Sequence, residues 1–152
     1  MIHKYTAQEI VLCTADRAFH IVYDIEQYPN FLPWCQSVCI KNRSDKMIVD
    51  MTISFQGIEA TYTSEVHSLF SHELHKGWIK VVSTHGIFQY LYNEWKFVQI
   101  DQKKTIVIFY IEFILKSHSF SYLLKLVYRY IYNKMIDAFK IRMQFLNENQ
   151  VS

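Results

Sequence analysis

The sequence predicts a single α+β domain, residues 1–152, in which an antiparallel sheet of about six to seven strands packs on one long C-terminal helix. Three observations carry this expectation. Apolar and polar residues alternate with a period of two over roughly eighty residues after Trp34. From about Ser119 the period lengthens to 3.6, and no proline or glycine interrupts it. Both prolines stand in one short stretch, Tyr28-Pro29-Asn30-Phe31-Leu32-Pro33-Trp34, where each fixes its own φ and pushes the residue before it out of the α region. That stretch is a stiff aromatic elbow between a helix and the first strand of the long β region.

Size and composition set the bounds. A chain of 152 residues can bury one sizeable core. With 16% aromatic and only 20% charged residues, disorder is excluded and a large apolar interior is expected. A coding bias toward Tyr, Phe, Ile and Lys would produce the same abundance. The N-terminus has neither the apolar core of a signal peptide nor the character of a transit peptide, and the longest apolar run, Ile106 to Ile111, is too short to span a membrane. A cytoplasmic location is expected. The odd cysteine count argues against a disulfide framework, and Cys35 and Cys39 on one strand lie too far apart to bridge. From Lys116 onward six basic residues face only Asp137 and Glu148, so this segment carries +4 and the remainder −2. A basic terminal helix can solvate its own outer face, lean on an anionic membrane or meet RNA.

Taken in order, Ala7 to Leu12 form a first strand. Thr14 is the N-cap of a short helix with Asp16 in its first turn, and Ala18, Phe19, Val22 and Tyr23 share its apolar face. The elbow supplies a second short helical turn. Met47, Val49, Met51, Ile53 and Phe55 alternate with polar residues, Gln56-Gly57 turn the chain, and Ile58, Ala60, Tyr62 and Val66 alternate back. A strand over Leu74–Val82 ends at Ser83-Thr84-His85-Gly86. Strands over Ile87–Ile100 and Thr105–Leu115 follow, joined by Asp101-Gln102-Lys103-Lys104. The last strand is apolar on both faces, with Glu112 the exception. That pattern ordinarily calls for helices on both sides of the sheet; dimer contacts or a membrane-facing surface on a curved sheet would also account for it. In the terminal helix Phe120, Leu124, Val127, Ile131, Met135, Ala138 and Arg142 trace one stripe. Its first half is apolar nearly all round and wants contact on more than one side.

Chemistry is harder to find. His72 and His75, three apart on a strand, point to opposite faces, and neither zinc-type spacings nor a phosphate-binding glycine loop occurs. No metal or catalytic residue is assigned. Glu94 and Glu112, with Lys96 nearby, have the parity of an outward face. Asn93, in phase with Trp95 and Phe97, is the best lone polar group for the interior; one amide can orient a carbonyl but cannot run acid–base chemistry.

The run Asp24-Ile-Glu-Gln-Tyr-Pro-Asn-Phe-Leu-Pro-Trp-Cys35 closely resembles the signature of the coenzyme-Q-binding START-domain family. That family lies in the polyketide cyclase/dehydrase and lipid-transport group, which also holds ribosome-association toxins. Lys134-Met-Ile-Asp-Ala-Phe-Lys-Ile-Arg142 resembles its C-terminal helix. The resemblance implies a helix-grip, START/Bet v 1-like fold: a curved sheet wrapped on the helix, two short helices after the first strand, and an apolar cavity between. Phe31, Leu32, Pro33 and Trp34 would close one end. Asn93, Trp95, Phe97, Phe109 and Phe113 would line the sheet side, and Leu124, Val127 and Ile131 the helix wall. The implied function is non-catalytic binding of ubiquinone or a related isoprenoid lipid, as a carrier for respiratory electron transport, with no cofactor beyond that ligand and a peripheral contact with the respiratory membrane through the basic helix. Ribosome association, as in the sibling toxins, and polyketide cyclase or aromatase activity are the alternatives. Lys116-Ser-His-Ser-Phe-Ser121 departs from the family by lacking a proline at the start of the last helix.

Overall fold

In the computed structural model, residues 1–151 are described except 44, 45 and 56, and the side chains of 84 and 146–151 are likewise left aside. Gln56 of the expected turn thus falls outside the described residues. The chain runs β1 (Ile2–Val11), α1 (Ala15–Tyr23), a 3₁₀ turn (Ile25–Asn30), β2 (Cys35–Arg43), β3 (Met47–Phe55), β4 (Ile58–Ser71), β5 (Lys76–Gly86), β6 (Phe88–Asp101), β7 (Lys104–Leu115) and α2 (His118–Val151). All neighbouring strands are antiparallel, in the order β1-β7-β6-β5-β4-β3-β2. Register shifts in β2, at Thr63/Ser64 and at both ends of β6 bend the sheet, since each bulge adds a local kink and twist. Both helices pack on one face only.

Local chemistry explains the helix between β1 and the elbow. The Thr14 hydroxyl accepts the Arg17 N–H at 3.2 Å, as an N-cap should. Ala18, Phe19, Ile21 and Val22 are buried. Behind α1, the Thr105 hydroxyl donates to the Cys13 carbonyl at 2.8 Å, tying the β1–α1 corner to β7. In the elbow, the Phe31 and Leu32 N–H groups both donate to the Tyr28 carbonyl, and Cys35 N–H donates to Leu32, so the two prolines bracket consecutive tight turns. Tyr28 is buried, with its hydroxyl donating to the Val22 carbonyl and its ring edge-on to Phe139 of α2.

Three expectations need correction, and one alternative left open for the doubly apolar strand is removed. β1 begins at Ile2, five residues before Ala7, because His3 and Tyr5 continue the inward parity despite their polar tips. β5 starts at Lys76 and runs through Gly86; His72 and His75 therefore sit in the β4–β5 turn, His75 with φ 49°, and not on opposite faces of a strand. The sheet carries no second helical layer among the described residues: Ile106, Ile108, Tyr110 and Ile114 are half-buried on its outer face by strand neighbours alone. Finally, the buried stripe of α2 shifts along its length. Phe120, Leu124 and Ile131 turn inward in the first half, but Tyr132, Ile136, Phe139 and Met143 are the buried set in the second, one position on from Ile131, Met135, Ala138 and Arg142. A helix apolar on nearly all sides does not specify which arc meets the sheet; the docking of α1 and the elbow decides it.

Candidate functional site: two chambers under the C-terminal helix

Two chambers lie between the concave face of the sheet and α2. The first, about 150 Å³ and partly open to solvent, is roofed by Val22, Ile25, Tyr28 and Leu32 on one side and by Met135 and Phe139 of α2 on the other. Its floor comes from β3 to β7 and includes Met51, Tyr62, Ser64, Ile79, Leu91, Asn93, Trp95 and Phe109. Alternation puts these side chains on one face: Tyr62, Ser64 and Val66 on β4, and Leu91, Asn93 and Trp95 on β6. The second, about 200 Å³ and also partly open to solvent, is bounded by Trp34, Ile53 and Phe55, by Ile87 and Phe88, by Phe113 and Leu115, and by Phe120, Leu123, Leu124, Ile131 and Tyr132 of α2. Ile111 and Met135 line both.

The chambers differ in polarity. Besides the Trp95 indole, the first holds four polar side chains: Tyr28, Tyr62, Ser64 and Asn93. Asn93 Nδ2 donates one hydrogen to the Tyr110 carbonyl at 2.9 Å, which fixes the amide, while the Tyr62 hydroxyl donates to Met51 Sδ at 3.2 Å. Burial pushes both the Tyr28 and Tyr62 phenols above the ordinary tyrosine range. At neutral pH they are donors, not bases. In the second chamber the Tyr132 hydroxyl is the one polar side-chain group carried by the lining residues other than the Trp34 indole. Neither chamber is lined by a histidine, carboxylate or lysine among the described residues.

The expected site residues separate accordingly. Leu32, Asn93, Trp95 and Phe109 line the first chamber, and Trp34, Phe113, Leu124 and Ile131 the second. Phe97 lines neither: it is fully enclosed in solid core, edge-on to Phe19. Phe31 packs between Phe139 and the Arg142 guanidinium, Pro33 is exposed, and Val127 is half-buried; none of the three lines either chamber. Tyr28, Tyr62 and Ser64 are polar groups that sequence reasoning missed. Ser64 had a signal, since it shares parity with Tyr62 and Val66. Glu94 and Glu112 do face outward, in a cluster where Tyr92 and Lys96 hold Glu94 while Tyr110 and Tyr90 hold Glu112. Those bonds keep both carboxyls below the usual carboxylate range, hence ionised. Cys13 and Cys35, both free, have thiols pushed up to about 11 by burial and are unreactive.

A curved seven-stranded sheet gripping a terminal helix over an apolar interior defines the START/Bet v 1-like class of helix-grip domains. The solved START superfamily protein from Mycobacterium smegmatis shares this fold, with a TM-score of 0.78 at 17% identity, covering 95% of this chain and 99% of its own. The polyketide cyclase/dehydrase and lipid transport family model matches residues 13–140, and the chain belongs to that family. The ribosome association toxin RatA of Rickettsia prowazekii is 30% identical over 128 residues, 83% of this chain and 86% of that protein. A mitochondrial coenzyme Q-binding protein of Drosophila melanogaster is 27% identical over 143 residues, covering 89% of this chain and 56% of that protein. In the described residues no helix is long and apolar enough to cross a membrane.

Proposed function

We propose that the protein is a non-catalytic carrier of an isoprenoid quinone, ubiquinone or a close analogue, serving respiratory electron transport. The observation that carries this is the pair of chambers meeting at Ile111 and Met135, one with a few hydrogen-bonding groups and the other almost wholly apolar. A quinone ring with two carbonyls matches Tyr62, Ser64 and Asn93, and its polyprenyl tail matches the second chamber. Burying the tail gains about 25 cal/mol per Å² of apolar surface, so affinity comes mostly from surface removed from water. The similarity to a coenzyme Q-binding protein supports the reading. Catalysis on a polyketide has less support, because the chambers lack a group that titrates near neutrality.

Protein purified from its native host is extracted with organic solvent and examined by mass spectrometry, with ultraviolet spectra before and after borohydride reduction. A stoichiometric quinone is expected, weakened about tenfold in Asn93→Leu, which removes the second Nδ2 hydrogen, the Asn93 donor left for a quinone carbonyl, at little cost in volume. A protein that is empty and takes up no added quinone overturns the reading. It would favour ribosome association, the second reading, which rests on the similarity to RatA. Cosedimentation with ribosomal subunits over rising ionic strength tests that directly.

A further inference from the structure

A further pocket, about 340 Å³, opens where the start of β1 meets the first half of α2. Its walls include His3 and Lys4 of β1 and Lys125, Tyr128 and Tyr132 of α2. No carboxylate lines it. Neither lysine forms an ion pair among the described residues. Glu112, opposite Lys4 in the β1–β7 register, is held by Tyr90 and Tyr110 instead. Arg129 Nε donates to the Tyr128 hydroxyl at 3.2 Å, so that hydroxyl keeps its own hydrogen to donate. The pocket also backs onto the second chamber. Tyr132 lines both and is 6% exposed, and its buried hydroxyl has no hydrogen-bond partner among the described residues. Leu124 lines the chamber and Lys125, the next residue, lines the pocket. On the strand side the His3 ring stacks on Phe113, a chamber residue, with centroids 5.0 Å apart. A buried hydroxyl without a partner costs free energy, and this one stands between cations and an apolar cavity.

We propose that this pocket is the head-group site for an anionic amphiphile, a phosphate monoester or carboxylate on an apolar chain. The head meets Lys4, Lys125 and the Tyr128 and Tyr132 hydroxyls, and the chain enters the second chamber past the Tyr132 ring. Hydrogen bonds to an ionised head are about twice as strong as those to a neutral one, and the chain gains from apolar surface removed from water. An inorganic anion satisfies the lysines but gains nothing from the chamber. A neutral lipid fills the chamber but leaves the cations and the Tyr132 hydroxyl unpaired. A quinone carries no charge, so this ligand class goes beyond the carrier reading and rests on the second chamber alone.

The test is titration calorimetry with decyl phosphate, decanoate, decanol and inorganic phosphate, all below the concentrations at which they aggregate. One of the two anionic amphiphiles is expected to bind at one per chain and about tenfold or more tighter than decanol, and the tighter of the two names the head. Octyl phosphate should bind about tenfold more weakly than decyl phosphate, for two methylenes fewer in the chamber. Lys4→Glu/Lys125→Glu should weaken the anionic amphiphile about tenfold or more and leave decanol binding as it was, which also shows that the variant is folded. Tyr132→Phe should weaken the anionic amphiphile about tenfold through one lost charge-assisted hydrogen bond. Decanol binding as tightly as both anionic compounds overturns the proposal, as does indifference to the lysine variant. Inorganic phosphate binding as tightly as decyl phosphate also overturns it, because the pocket would then work without the chamber. Quinone uptake is measured on the same protein. Quinone taken up without any binding of decyl phosphate or decanoate removes this proposal alone, and the reverse removes the carrier reading alone.

Discussion

The ring of Tyr5 on β1 stacks on that of Tyr132 on α2, with centroids 4.3 Å apart and planes within 12°. This contact fastens the edge strand of the sheet to the middle of the long helix, beside the second chamber. One strand residue earlier in parity, His3 Nε2 lies 2.7 Å from the Ser121 hydroxyl, and the His3 ring stacks on Phe113. Together they hold down the half of α2 that covers the apolar chamber.

Tyr132 has a buried hydroxyl with no hydrogen-bond partner among the described residues. A buried, unpaired hydroxyl is a cost, and the ring alone supplies the stacking. Tyr132→Phe should leave stability unchanged or raise it by up to about 1 kcal/mol. Tyr5→Ala should lower it by about 2–4 kcal/mol through the lost ring contact and the cavity left behind. Urea unfolding curves give both values.

Met135 is the shared wall of the two chambers, with Ile111 opposite on β7. Met135→Trp should fill the space where the two chambers adjoin while costing about 1–3 kcal/mol of stability from overpacking. A short-tailed quinone that needs only the polar chamber should still bind. A long-tailed one should lose about tenfold or more in affinity, because its tail can no longer reach apolar surface. Equilibrium titrations with the two ligands decide it.

His3 introduces a pH dependence. Its pKa is lowered below 6.5 first by burial, then by the positive charges of the N-terminal amino group and Lys125. The unfolded chain therefore binds this proton more readily than the folded one. Stability should be complete above about pH 6.5 and fall as the pH drops through that value toward the folded pKa. His3→Asn should flatten this part of the profile. Urea midpoints measured across the range in both proteins make the comparison.

Gly86, at the end of β5, has φ +114°, and a Cβ there would stand 2.5 Å from the Thr61 carbonyl oxygen and from Tyr62 Cα. Gly86→Ala should cost more than about 2 kcal/mol and displace Tyr62 from the polar chamber. At Gly57, φ is +80° but nothing lies within 4 Å of an added Cβ. Gly57→Ala should cost only about 1 kcal/mol, for backbone strain alone. Thermal unfolding separates the two.

Much of the site was legible where a residue's face follows from strand parity. Asn93, Trp95 and Phe109 were placed on the concave face by alternation, and that is where they are. Parity says which side a residue faces, not whether the space there is empty. Phe97 shares the parity of Asn93 yet is enclosed by α1 through Phe19, because α1 covers that end of the sheet and leaves the middle uncovered. Tyr62 and Tyr28 were missed as polar site groups because a tyrosine in an apolar stripe reads as core until its neighbours are known.

The sequence by itself determined the strand-rich middle, the Thr14 cap, the proline elbow and the single long final helix, all consequences of near-neighbour sterics and of the period of the apolar pattern. It also determined the family, through the wording of the elbow. Only the tertiary structure decided which arc of α2 faces the sheet, how Ile111 and Met135 divide the interior, and which apolar residues stay uncovered at Tyr122, Leu126 and Tyr130. Those depend on where elements far apart in the chain come to rest, and a helix apolar on nearly every side carries no local instruction for it.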